Sequence, residues 1–195
     1  MASAIEKHPL SPFLPINAKV LMLGSFPPAR KRWSMNFFYP NWQNDMWRIF
    51  GYLFYEDKEH FLSVAEKRFK QDELEHFLIE KGIALYDTAV AVNRLKENAS
   101  DKFLEIIEVA PLKKLLVTLS ACEVVIVTGE KALEIFSQYF GIEEKLKMGE
   151  SCIFSFEGRE MQLYRMPSSS RAYPLSVEKK AQYYKVPLSV VGLLS

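Results

Sequence analysis

Cysteine is nearly absent from this 195-residue chain; Cys122 and Cys152 are the only two. Two thiols are too few for a four-cysteine zinc or iron–sulfur site. One follows an expected helix and the other opens an expected strand, so both read as free thiols of a reducing compartment. Histidine is scarce as well, with only His8, His60 and His76. Charge of one sign is lacking: 25 basic against 24 acidic side chains leave +1. That balance excludes bulk attraction to nucleic acid and leaves any such binding to a local basic cluster. Residues 1–14 carry charges and prolines around short apolar pieces, so neither a signal peptide nor a membrane span is expected there. Repeats, low-complexity tracts and linkers are absent too. The expectation is a soluble, cytoplasmic protein.

What is present is a 49% hydrophobic chain, enough for one substantial core and a single domain over 1–195. The sequence is organised around residues 19–47. An apolar run ends at Gly24, as a buried parallel strand ends. Ser25, Phe26, Pro27 and Pro28 follow, then Arg30, Lys31 and Arg32, then aromatics crowded around amides up to Trp47. Helical periodicity resumes near Asn44 with Met46, Trp47, Ile49 and Phe50. In an open α/β sheet, ligands sit outside the carboxyl ends of the strands, so this loop is the expected floor and wall of an active site.

Further along, 47–54 and roughly 58–81 are expected helices, the second from Phe61, Leu62, Ala65, Phe69, Leu74, Phe77 and Leu78, with Gly82 as its stop. Residues 83–86 form a short strand ending at Asp87 and Thr88; 93–101, with Arg94 and Lys96, read as a loop. Asp101 is placed to cap a helix carrying Phe103, Leu104, Ile106 and Ile107, and Pro111 to open another through Leu119. Residues 124–128 are a strand, 130–140 its helix, and 157–159 the turn of a hairpin between 152–156 and 161–165. A loop over 166–174 leads to a helix over about 176–184. The alternation predicts a three-layer α/β/α sandwich around a mainly parallel four-stranded sheet.

Three stretches, in chain order, carry a resemblance: Gly24-Ser25-Phe26-Pro27 with the closing Asn44-Asp45-Met46-Trp47; Gly82-Ile83-Ala84-Leu85-Tyr86-Asp87; and Met166-Pro167-Ser168-Ser169-Ser170 before a helix. With the 124–129 strand they span most of the chain, which resembles the uracil-DNA glycosylase superfamily, most closely its hypoxanthine-DNA glycosylase branch. Cleaving a base from deoxyribose passes through an oxocarbenium-like sugar while negative charge develops on the base. An enzyme doing this must extrude the nucleotide, stack and read its base, stabilise the leaving anion and place a water. The resemblance implies a base pocket from Gly24, Ser25, Phe26, Phe37 or Phe38, and Asp87. It implies Asn44 as the catalytic amide that orients water, and DNA contacts from Pro27, Pro167, Ser168, Ser169, Ser170 and Arg171. A carboxylate at 87 accepts a purine N–H, whereas an amide there would also donate and suit uracil better.

The chain also departs from the pattern. Phe26 stands where the best-known uracil enzymes have a water-activating aspartate, and Met166 where they have a histidine supporting the leaving base; none of the three histidines lies in a motif. This shifts the expected substrate from uracil towards hypoxanthine. Read without the resemblance, Phe37, Phe38 and Tyr39 are equally core residues, Asn44 a helix cap, Asp87 a turn closer, and 30–32 and 168–170 solvated loops. The expected activity is that of a monomeric, metal-free and cofactor-free monofunctional glycosylase acting on DNA that carries a deaminated base. A catalytically silent nucleic-acid or nucleotide-binding domain on the same fold is the alternative. A small-molecule α/β hydrolase is disfavoured for want of a Gly-x-Ser-x-Gly elbow.

Overall fold

A computed structural model describes residues 5–95 and 101–195. The elements, in order, are β1 (Ile5–Lys7), β2 (Val20–Gly24), α1 (Met46–Tyr55), β3 (Leu62–Ser63), β4 (Arg68–Phe69), α2 (Gln71–Lys81), β5 (Ile83–Asp87), β6 (Ala89–Arg94), β7 (Leu104–Val109), α3 (Leu112–Thr118), β8 (Val124–Thr128), α4 (Glu130–Phe140), β9 (Ser151–Phe156), β10 (Arg159–Met166) and α5 (Val177–Val190).

The central sheet has five strands in the order β5-β2-β8-β10-β9, not four. β5, β2, β8 and β10 run parallel, as the apolar runs predict, and β9 adds an antiparallel edge through its hairpin with β10. That hairpin turns on Glu157 and Gly158, both left-handed (φ 48° and 78°), the backbone that two-residue turns need to follow strand twist. Every residue of β2, β5 and β8 is buried, so both sheet faces are covered, which is why these strands read as continuous apolar runs. α2 packs on β5, α4 on β8, and α5 on both β10 and α1.

One expected helix is shortened by a hairpin and another is replaced by a strand. Within 58–81, only α2 is helical; Leu62 pairs with Phe69 in a small β3–β4 hairpin. The apolar spacing there fits a tight hairpin as well as a helix. The expected helix after Asp101 is a short 3-10 turn, Asp101–Phe103, followed by β7. Ile106, Ile107 and Val109 are β-branched, and pairing with β6 exploits that stiffness. β6 itself begins inside a stretch with no anticipated element, and Lys96 lies outside the described residues. α5 runs on through Pro187 to Val190.

β6 is the middle strand of a second, antiparallel sheet, β1-β6-β7. Beyond β1 the chain lies along the β5 edge. His8 N–H donates to the Val90 carbonyl (2.8 Å), and Phe13 and Leu85 exchange backbone bonds of 3.0 and 2.9 Å. No helix among the described residues is long and apolar enough to cross a membrane.

Chain direction fixes where a site belongs. From β2 the chain moves to β5 on one side; it returns to β8 on the other. The carboxyl ends of β2 and β8 therefore frame the crevice where ligands bind in open α/β sheets.

Candidate active site

Gly24 and Asp87 are paired at the ends of β2 and β5. A Cβ on Gly24 would collide with Asp87 Oδ1, so only glycine admits the carboxylate at this point. The pairing continues past both strands: Thr88 N–H donates to the Gly24 carbonyl (2.8 Å) and Ala89 N–H to that of Ser25 (3.0 Å). Thr128, at the end of β8, lies across the crevice, its hydroxyl 3.5 Å from Tyr39 Oη. Tyr39 takes a left-handed backbone (φ 50°), uncommon for a bulky residue. Burial, reinforced by the nearby Asp87 charge, pushes its phenol well above the ordinary value.

Two partners at this centre were invisible in the sequence. His8 Nε2 lies 2.8 Å from Asp87 Oδ2, with side chains 2% and 10% exposed. Its ring sits against Tyr86 (4.8 Å), edge-on to Phe26 (5.4 Å) and near Phe38 (6.3 Å). Asp101 accepts a hydrogen bond from Ser25 Oγ. Burial raises the Asp101 pKa; the Ser25 bond opposes this, Asp87 adds to it, and Arg94 and Lys131 oppose it. These contacts span 79 and 76 residues, and no local pattern around His8 or Asp101 announces them.

The aromatics divide by position. Phe38 touches both His8 and Tyr86. Phe37 packs on Phe13, Phe38 and Trp47 in the main core. Phe26 is buried with Ala89, Val92 and Leu104 in a separate small cluster. Indole N–H groups brace the first loop: Trp33 donates to the Pro28 carbonyl (2.7 Å) and Trp47 to that of Phe38 (3.1 Å).

Asn44 lies at the start of α1, where its Oδ1 accepts the Met46 N–H (2.9 Å). It bridges to Ser170, and Asp45 N–H donates to the Ser169 carbonyl (2.7 Å) and Arg171 N–H to that of Gln43 (3.0 Å). The first loop and the serine loop thus form one backbone unit. Side chains reinforce it. Lys180 of α5, fully buried, donates to Asp45 Oδ2 (2.9 Å) and to the Ser170 carbonyl (2.8 Å). Arg171 Nε is 3.4 Å from Asp45 Oδ1, with its own side chain 49% exposed. Lys180 was not anticipated in this role, lying in the first turn of α5, ten residues beyond Ser170.

Within the serine run, Ser168 and Ser170 accept the N–H groups of Ser170 (3.2 Å) and Ala172 (3.3 Å). Their hydroxyl protons stay available to a ligand. Ser169 is buried, as is Pro167, whose carbonyl accepts the buried Tyr184 hydroxyl (2.7 Å). Pro27 offers its carbonyl to Arg94 (3.0 Å). The run Arg30–Arg32 is an exposed 3-10 turn. Ser168 packs beside Gly129 at the end of β8. Gly24, Asp87 and Ser168 therefore converge on one sheet edge. Two clefts flank rather than occupy this edge. One, of about 370 Å³, is bounded by Asp45, Arg48, Lys58 and Arg171. The other, of about 340 Å³, lies between 34–36 and 63–71.

No family model matches the sequence, and no curated protein matches it either. Among solved structures, the solution NMR structure of a Methanosarcina acetivorans protein described as a "putative Uracil DNA glycosylase" is similar, with a TM-score of 0.63 and 21% identity. The match covers 96% of this chain and 99% of that one. Over nearly its whole length, this chain has the fold of that protein.

Proposed function

We propose that the protein is a monofunctional DNA glycosylase of the uracil-DNA glycosylase superfamily, closest to the hypoxanthine branch, hydrolysing the N-glycosidic bond of a deaminated base. One observation carries this reading: Gly24–Asp87, the Asn44 loop and the serine loop meet at the carboxyl ends of the parallel strands. In the proposed reaction the damaged nucleotide is flipped to this edge. Phe38, the one of the pair that packs against His8 and Tyr86, stacks on the base, with Phe37 packed against it. Asp87 accepts a ring N–H of the base. Asn44 Oδ1, oriented by the Met46 N–H, uses its second lone pair to hold a water facing the sugar. The C1′–N bond breaks with its electrons leaving on the base, water oxygen adds to C1′, and the spare proton passes to solvent. Ser168, Ser170 and Arg171 contact phosphate, as hydroxyls and cations commonly do. Lys180, the lysine tied into these loops, is held by Asp45 and Ser170, so hydrolysis without a Schiff base is the expected route. The enzyme works as a monomer, without metal or cofactor.

A second reading, a catalytically silent DNA-binding domain, draws support from Phe26. Its apolar setting supplies no general base at the position where better-known relatives have one. Incubation with duplexes carrying hypoxanthine, uracil or xanthine, followed by alkali, separates the two. Strand breaks at hypoxanthine are expected; intact strands on all three substrates, with binding retained, favour the silent domain.

A further inference from the structure

We propose that His8 is the positioning residue that makes Asp87 a fixed, partly neutralised acceptor, so that this site takes bases presenting a ring N–H beside a carbonyl and rejects those presenting a bare ring nitrogen beside an amine. The inference rests on the functional reading above and deepens it. A carboxylate can only accept hydrogen bonds. Asp87 Oδ2 is occupied by His8 Nε2 at 2.8 Å. Its Oδ1 lies over the Gly24 Cα, where a Cβ would collide with it, and receives no donor among the described residues. One acceptor atom is therefore left to read a base. Hypoxanthine and uracil offer it an N–H; adenine and cytosine would oppose it with a lone pair.

Because a carboxylate only accepts, the contact with Asp87 calls for a proton on Nε2. Nδ1 is 2.9 Å from the Leu10 carbonyl and 3.2 Å from the Leu10 N–H. The neutral ring can accept the Leu10 N–H, and the imidazolium can donate to the Leu10 carbonyl. In both states Nε2–H faces Asp87. The ring cannot swing away, because Tyr86, Phe26 and Phe38 surround it and the His8 backbone is paired to Val90.

The pair also affects the chemical step. A bare carboxylate against a base that leaves as an anion opposes the developing charge, and Asp101 nearby adds another acidic group. A donor on Oδ2 withdraws part of that charge. Arg94, the cation of β6, is already engaged by Glu6 (3.0 and 3.1 Å) and the Pro27 carbonyl.

The test compares wild type, His8→Ala and His8→Gln, the last restoring an N–H near the Nε2 position. Melting temperature is measured for each. Two readouts are taken: calorimetric binding of free hypoxanthine, uracil, adenine and cytosine, and single-turnover excision from a hypoxanthine duplex. Wild type should prefer hypoxanthine and uracil. His8→Ala should lose about 10–100-fold of that preference and of the single-turnover rate, the range of one charge-assisted hydrogen bond, with duplex affinity unchanged. His8→Gln should recover most of both. A His8→Ala protein with wild-type preference and rate overturns the inference and leaves the glycosylase reading standing. So does a His8→Gln protein as impaired as His8→Ala. A wild type that excises nothing yet discriminates bases through His8 supports the inference and sinks the glycosylase reading. One that neither excises nor discriminates overturns both.

Discussion

Asn44 serves two purposes with one side chain. Its oxygen holds the first turn of α1 through Met46, and in the proposed reaction the same oxygen orients water. An amide is no strong base, so its value lies in placement. Asn44→Ala should slow single-turnover excision by roughly 10²–10⁴-fold with duplex affinity nearly unchanged. Loss of this bond to the Met46 N–H should cost about 1 kcal/mol of stability. A full-speed Asn44→Ala protein would place the water elsewhere. Asp45 is a poor substitute, since Lys180 and Arg171 hold its two oxygens. Asp101 supports a pH prediction. Burial raises its folded-state pKa, so the folded protein binds this proton more tightly than the unfolded chain. Its contribution to stability is present at low pH and is lost as pH rises through the ordinary aspartate range towards the raised value. Asp101→Asn should flatten that acid-range slope in denaturant titrations; an unaltered slope would assign it to other carboxylates. The positions of Asn44 and Asp87 were legible because one opens a helical pattern and the other ends an apolar run. His8 and Asp101 were not, because their meaning comes from partners 79 and 76 residues away.

Among the elements, α5 does more than close the core. Its Lys180 ammonium, fully buried, joins the Asn44 loop to the serine loop. Removing one partner of a buried ion pair typically costs about 3–5 kcal/mol. Lys180→Met should therefore lower the melting temperature by roughly 10 °C and slow excision more than it weakens binding, since the loop bearing Asn44 loosens. Replacing Asp45 with leucine in the same protein should restore part of the stability. Failure to recover would mean that the bond to the Ser170 carbonyl matters more than the charge pair. The strands β2, β5 and β8 were legible as unbroken apolar runs. β7 and the β3–β4 hairpin were not, because in 62–69 and 104–109 helical and extended spacing fit equally well and pairing across the chain decides.

The molecule as a whole carries a charge of only +1, so DNA affinity should rest on a few phosphate contacts and weaken modestly with salt. With Arg171 and a handful of loop groups engaged, a plot of log affinity against log salt should have a slope of about −2 to −4. Arg171→Ala should reduce that slope by about one and weaken damaged and undamaged duplex alike; an unchanged slope removes the serine loop from the interface. Asp45 and Lys180 are separated by 135 residues. On a ribosome adding about 5–20 residues per second, roughly 7–27 s pass between the two. Throughout that interval α1 lacks α5, the helix it packs against. The nascent chain must keep the α5-facing side of α1 from other chains until α5 arrives. Yield in cells should therefore depend more on chaperone capacity and growth temperature than the finished protein's stability would suggest.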